Sequence, residues 1–215
     1  MNFDRLTEIL GVAKTIHSSL RRDVDFTNSN KRHAIYLLQG GVLTAVASSL
    51  RFNLEGYIVP VAQQKRIIDE AIDLIWFFDE IEGNSRHLRA WFNGHIIERV
   101  PGNRGNLTLE ERAERNFLTT EQIRRMDTLR EELSKLVSKY MHPSINAVRA
   151  NCRRISHTFD YDHEQTASAS LSAGSFGNLY VIPGLHALLI PVRNLPLLQT
   201  DFEQLRAFDR EIQNS

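Results

Sequence analysis

The sequence predicts an all-α protein, a single-domain bundle of seven to nine helices over residues 1–215. Three observations predict it. Apolar residues recur at helical spacing through most of the chain. Helix start signals, including two capping boxes, stand just ahead of periodic segments. The connections between those segments are short, as in helical bundles.

Composition narrows the class further. Of 215 residues, 42% are hydrophobic and 24% charged, ordinary values for a globular chain. Lys+Arg and Asp+Glu balance at 26 each, so no global field collects nucleic acid or an anionic membrane. The one cysteine excludes an intrachain disulfide and fits a reducing cytosol. The opening MNFDRLTEILGVAKTIHSSL reads as an amphipathic helix and not a signal peptide. The most apolar stretch, Leu179–Val192, is too short to span a bilayer and holds Pro183 and Pro191. The expectation is a cytoplasmic protein with no membrane partner.

Taken in order, Leu6, Ile9, Leu10, Ala13, Ile16 and Leu20 form the stripe of a first helix near 2–20. A second, near 30–52, carries Ala34, Ile35, Leu38, Val42, Ala45, Val46, Ser49 and Leu50. Gly40 and Gly41 inside it point to close approach of another helix, or to a kink. Pro60 opens a third near 61–82, apolar over so much of its circumference that it should be central. Its Glu70, Asp73 and Asp79 need partners, for which Arg32, Arg86 and Arg89 are suited.

Ser85 caps a fourth helix reaching about Glu98, with Leu88, Trp91, Phe92 and Ile96 inward and Asn93-Gly94 loosening or ending it. VPGNRGNL, residues 100–107, is a loop between two helical layers. Thr108 with Glu111, and Thr119 with Gln122, are capping boxes. The second precedes an amphipathic helix through Tyr140. Pro143 starts another, whose stripe Ile145, Val148, Cys152, Ile155 buries the cysteine as a small hydrophobe. Residues 166–190 read either as a loose helix or as a short β-hairpin turning at Pro183-Gly184. A last amphipathic helix, near 200–213, turns Phe202, Leu205, Phe208 and Ile212 inward.

Three constellations carry chemistry. Arg89 and His95 flank Asn93-Gly94 in RHLRAWFNGHIIER. Histidine can shuttle protons near neutral pH and arginine can steady a developing phosphate charge, although packed aromatics with snorkelled arginines leave the same pattern. His142 sits at a helix-to-helix joint, as a bend residue or as a third member of that site. Arg149, Arg153 and His157 lie on a helix flank that suits a phosphate or carboxylate, or a solvated basic face. His157, Asp160 and His163 are the one metal-like grouping, at a spacing that matches no metal motif. No Gly-rich phosphate loop, nucleophile elbow or dinucleotide fingerprint occurs, and no cofactor is expected.

IIDEAIDLIWFFDEIEGNSRHLRAWFNG (67–94) and LSKLVSKYMHPS (133–144) together resemble helical segments of uncharacterised bacterial proteins allied to the HEPN and abortive-infection families. The resemblance covers about the middle half of the chain. It implies an all-helical protein of bacterial stress or phage defence, with a homodimer as the expected assembly. HEPN ribonucleases place a histidine four to six positions after an arginine, with a polar residue following the arginine. Arg89 and His95 have that spacing, Ala90 replaces the polar residue, and His142 has no arginine at the required distance. The leading expectation is therefore a helical interaction or regulatory protein with a protein or RNA partner. A metal-independent ribonuclease is second and a metal-dependent hydrolase third.

Overall fold

The computed structural model describes residues 1–80, 86–97, 108–115, 119–125, 127–128, 131 and 170–215. Among them the chain is helical and contains no strand. Helix α1 (Phe3–Ser19) starts where Asn2 accepts from the Arg5 amide at 2.8 Å. Helix α2 (Lys31–Leu54) starts at Asn30, which accepts from the His33 amide at 3.0 Å. Each side chain satisfies one of the amides that a helix start leaves unpaired. A turn at Gly56 (φ 84°) leads into α3 (Ile58–Glu80), and α2 and α3 make the most extensive helix pair. Pro60 lies inside α3, within the first turn, where a missing N–H costs nothing.

Helix α4 is Arg86–Phe92, and α5 is Leu109–Arg115. Both capping boxes form. Thr108 N donates to Glu111 Oε2 at 2.8 Å and Glu111 N to Thr108 Oγ1 at 3.2 Å. Thr119 and Gln122 repeat the exchange at 2.8 and 3.2 Å. Beyond residue 170, α6 (Ala173–Phe176) runs through a π-helical turn, Gly177–Val181, into α7 (Ile182–Leu189); α8 (Gln199–Gln213) closes the chain.

The hairpin read for 166–190 does not form over 170–190, and Pro183-Gly184 is helical. Two features make the prolines tolerable. Pro183 lacks the N–H that would bond Leu179 and its ring crowds that carbonyl; Leu179 lies in the wider π turn, which relieves the crowding. Pro191 lacks the N–H that would bond the Ala187 carbonyl. The amide of Gln39, fully buried on α2, donates to that carbonyl instead, at 2.9 Å. Gly184 lets α7 press against α2, since a Cβ there would sit 3.3 Å from Val46 Cγ2.

One hydrophobic core draws side chains from α1, α2, α3, α4, the π turn, α7 and α8. Helix α3 buries Val61, Ile68, Ile72, Ile75 and Phe78, packs Ala71, Leu74, Trp76 and Phe77 against the core as well, and leaves Ile67 51% exposed. Burial is fuller in α7, where Ile182 and Gly184 through Leu189 are all buried. Helix α2 is the one described helix long and apolar enough to cross a membrane, and 50% of that window is buried inside the fold. Gly40 faces a side chain, not a helix backbone: a Cβ there would lie 3.1 Å from the His17 imidazole of α1. Gly41 is exposed with nothing near it, and nothing in the structure explains it.

Two of the acids of α3 find other partners than the expected arginines. Glu70 pairs with Arg66 on the same helix, and Asp79 accepts from Asn194. Burial raises the Asp79 carboxyl above its ordinary range, with Asn194, Lys31 and Arg193 opposing.

Candidate functional site

The site begins with the way α4 lies on the bundle. Leu88 is fully buried, and Trp91, one turn on, meets Phe78 of α3 edge-to-face at 5.7 Å. That orientation leaves Arg89 and Asn93, four residues apart, on a common outer face with Phe92 beside them. Gly94 (φ 80°) then stops the helix. Its amide bonds the Trp91 carbonyl at 2.9 Å and the His95 amide bonds the Ala90 carbonyl at 3.0 Å, the paired closure of a left-handed helix end.

Opposite α4 stands the loop before α2, held by its own polar groups. Asp25 accepts from the Thr27 amide at 2.9 Å, the Thr27 hydroxyl at 2.6 Å and the Asn28 amide group at 2.5 Å. These hydrogen bonds, Thr27's first, hold the Asp25 carboxyl below its ordinary range. His33 donates from Nδ1 to the Asn28 carbonyl at 3.1 Å, and its ring lies 4.8 Å from Phe92 and 5.1 Å from Phe26. Phe26, 42% exposed, also meets Tyr36, which stacks on His17 at 4.3 Å. Burial lowers the His17 pKa, against a smaller opposing effect of its bond to the Tyr36 carbonyl.

Between loop and helix lies an open cleft of about 560 Å³, lined by Asn28, Ser29, Asn30, Arg89, Phe92 and Asn93. Among the described residues no carboxylate lines it. The Asn28 amide group is committed to Asp25 and the Asn30 carbonyl oxygen to the start of α2. The side chains of Ser29, Arg89 and Asn93 make no hydrogen bond or ion pair among the described residues, and all three residues line the cleft. The arrangement offers a fork of guanidinium donors, an amide, a hydroxyl and an aromatic wall.

Of the residues singled out from sequence, Arg89 lines this cleft. His95 does not: it follows the helix stop and is exposed, and Ile96, expected inward, is 91% exposed. The cause is Gly94, which turns the chain off the helix axis two residues too early for Ile96 to reach the core. His142, Arg149, Arg153, His157, Asp160 and His163, with Cys152, lie outside the described residues. Among the described residues no group of three metal-ligating side chains converges.

Sequence reasoning missed two groups. His33 stands beside the cleft, and its signal was its place one turn after the capping Asn30. The other is a buried polar cluster between α7 and α8. Asp209 is fully buried and accepts from Gln213 at 2.7 Å and Arg206 at 3.1 Å, with His186 Nε2 at 3.5 Å. Burial alone would raise the Asp209 carboxyl, but His186, Gln213 and Arg206 together outweigh it and hold it below its ordinary range. Asp209 lies four residues after Leu205 and three before Ile212, on the core stripe, and that spacing was its signal. The cluster opens onto no described cavity and joins two helices.

The fold and site thus define an all-helical protein with a donor-rich surface cleft. No protein-family model matches the chain, and no curated protein or solved structure is significantly similar to it.

Proposed function

We propose that this chain is a helical interaction protein of the cytoplasm, docking a partner through the cleft between the Asn28–Asn30 loop and α4. The observation that carries the reading is the lining itself. Arg89, Asn93 and Ser29 present unspent donors beside the Phe92 ring, and no acid or base stands among the described lining residues. Such a wall has the groups to recognise a ligand, and its described lining residues include no carboxylate or imidazole. Arg86, one turn earlier on α4, is exposed like Arg89. A setting in bacterial stress or phage defence, and self-association as a regulatory step, belong to the same proposal through the resemblance of 67–94 and 133–144.

The second reading, a metal-independent ribonuclease, draws support from one observation. The His33 imidazole packs on Phe92, so an arginine and a histidine flank the same cleft, with His33 in the place expected of His95. Incubating single-stranded RNA with the chain and a chelator separates the two. The docking reading expects no cleavage above background. Cleavage that disappears in Arg89→Ala or His33→Ala would overturn it in favour of the nuclease. The third reading rests on His157, Asp160 and His163, and elemental analysis tests it. Stoichiometric metal would support a hydrolase, and its absence would remove that reading.

A further inference from the structure

We propose that the cleft takes an acidic segment of a polypeptide, in which a carboxylate stands next to an aromatic or aliphatic side chain. The inference rests on the docking reading and names the partner's chemistry. Three observations carry it. First, the one charged side chain among the described lining residues donates only, through five N–H bonds on Arg89, and the Asn93 amide and Ser29 hydroxyl beside it can donate as well. A planar guanidinium matches a carboxylate through two parallel hydrogen bonds. Second, the nearby acid is already used. The Asp25 carboxylate is turned onto Thr27 and Asn28, so it holds the loop and makes no ion pair with Arg89. Third, the apolar half of the site adjoins the charged half. Phe92 is three residues from Arg89 on α4, and Phe26, 42% exposed, reaches it through the intervening His33 ring.

Charge argues for a short acidic segment over a nucleic acid. Basic and acidic residues balance at 26 each, so the molecule lacks the broad positive field that holds a long polyanion. A single carboxylate needs only the local charge of Arg89, supported by Arg86 one turn earlier on α4.

The test uses the whole folded chain as bait for displayed random dodecapeptides. The most enriched sequence is then made with a fluorescent label and its binding read by anisotropy. The expected selection is for Asp or Glu beside Phe, Leu or Ile. Arg89→Glu should weaken the labelled peptide by roughly ten- to a hundredfold, the range for losing a charge-assisted hydrogen bond. Asn93→Asp, nearly isosteric, should weaken it in the same direction. Arg125→Glu, an exposed arginine outside the cleft, should leave it unchanged. Circular dichroism of each variant confirms the fold. Selection without acidic enrichment, or binding indifferent to Arg89→Glu and Asn93→Asp, overturns the inference. Basic or apolar peptides that map to the cleft would remove the acidic partner and leave the docking reading standing. An oligouridylate probe that binds through Arg89 more tightly than any selected peptide would also remove it. Cleavage of that probe would remove the docking reading itself.

Discussion

Gln39 provides the sharpest test of how the core is built. Its side chain is fully buried on α2, and its amide donates to the Ala187 carbonyl, which Pro191 leaves without a helical partner. Gln39→Leu keeps the volume and removes the donor. An unpaired buried carbonyl costs about 1–3 kcal/mol. Two effects offset part of this: leucine is more apolar, and the Gln39 Oε1 atom has no partner of its own. A net loss of about 1–2 kcal/mol follows from these opposing contributions. Pro191→Ala restores an N–H four residues after Ala187, so the helix can satisfy its own carbonyl. In that background Gln39→Leu should cost no more than about 0.5 kcal/mol, a coupling of about 1 kcal/mol. Urea denaturation of the parent, both single variants and the double variant reads the cycle, provided the urea dependence stays constant. An equal cost of Gln39→Leu in both backgrounds would refute the idea that the glutamine stands in for the proline's missing donor.

Three further outcomes are expected. Asp209→Ala leaves Arg206 and His186 without their buried carboxylate and should cost about 3–5 kcal/mol in urea denaturation, against a smaller loss for Asp209→Asn. Because the folded Asp209 carboxyl titrates below its unfolded value, its stabilisation is complete above the ordinary aspartate range and drains away as pH falls through the lower folded value; Asp209→Asn should flatten that acid limb. Gly177→Ala would bring a Cβ to 2.8 Å from Ile212 Cγ2 and 3.2 Å from Leu6 Cδ2, an overpacking worth about 1–3 kcal/mol, and should lower the melting temperature, whereas Gly174→Ala, where a Cβ meets nothing within 4 Å, should not. Asn53→Ala removes both hydrogen bonds to the Leu171 backbone, at 3.0 and 2.7 Å, and should speed amide exchange at the start of α6 before it lowers global stability.

The parts of the fold legible in the sequence were those written in local chemistry. Thr108/Glu111 and Thr119/Gln122 are reciprocal exchanges over three residues, so they form wherever a helix starts. Asn93-Gly94 ends α4 for an equally local reason. The stretch 170–190 was ambiguous because a continuous apolar run has no period to separate helix from strand, and its Pro-Gly pair reads as a turn. What decides it is distant: the Gln39 amide on α2, and the side chains that surround α7 on every side. The site divides the same way. Arg89 was legible as an arginine on an aromatic helix, but its partners come from the loop before α2, some 60 residues earlier. His95 stands off the helix face because the Asn93-Gly94 stop, which the sequence itself marks, lies between it and Arg89. Asp209 was hidden among exposed charges on an amphipathic helix, and only the core stripe through Leu205 and Ile212 marks it.

Docking between the Asn28–Asn30 loop and α4 is tested most directly by an amide NMR titration of the folded chain with the selected acidic peptide. Saturable shifts concentrated at Ser29, Asn93 and the Arg89 side-chain N–H, lost in Arg89→Glu, are expected. Shifts confined to other faces of the bundle, or equal shifts in Arg89→Glu, would contradict it.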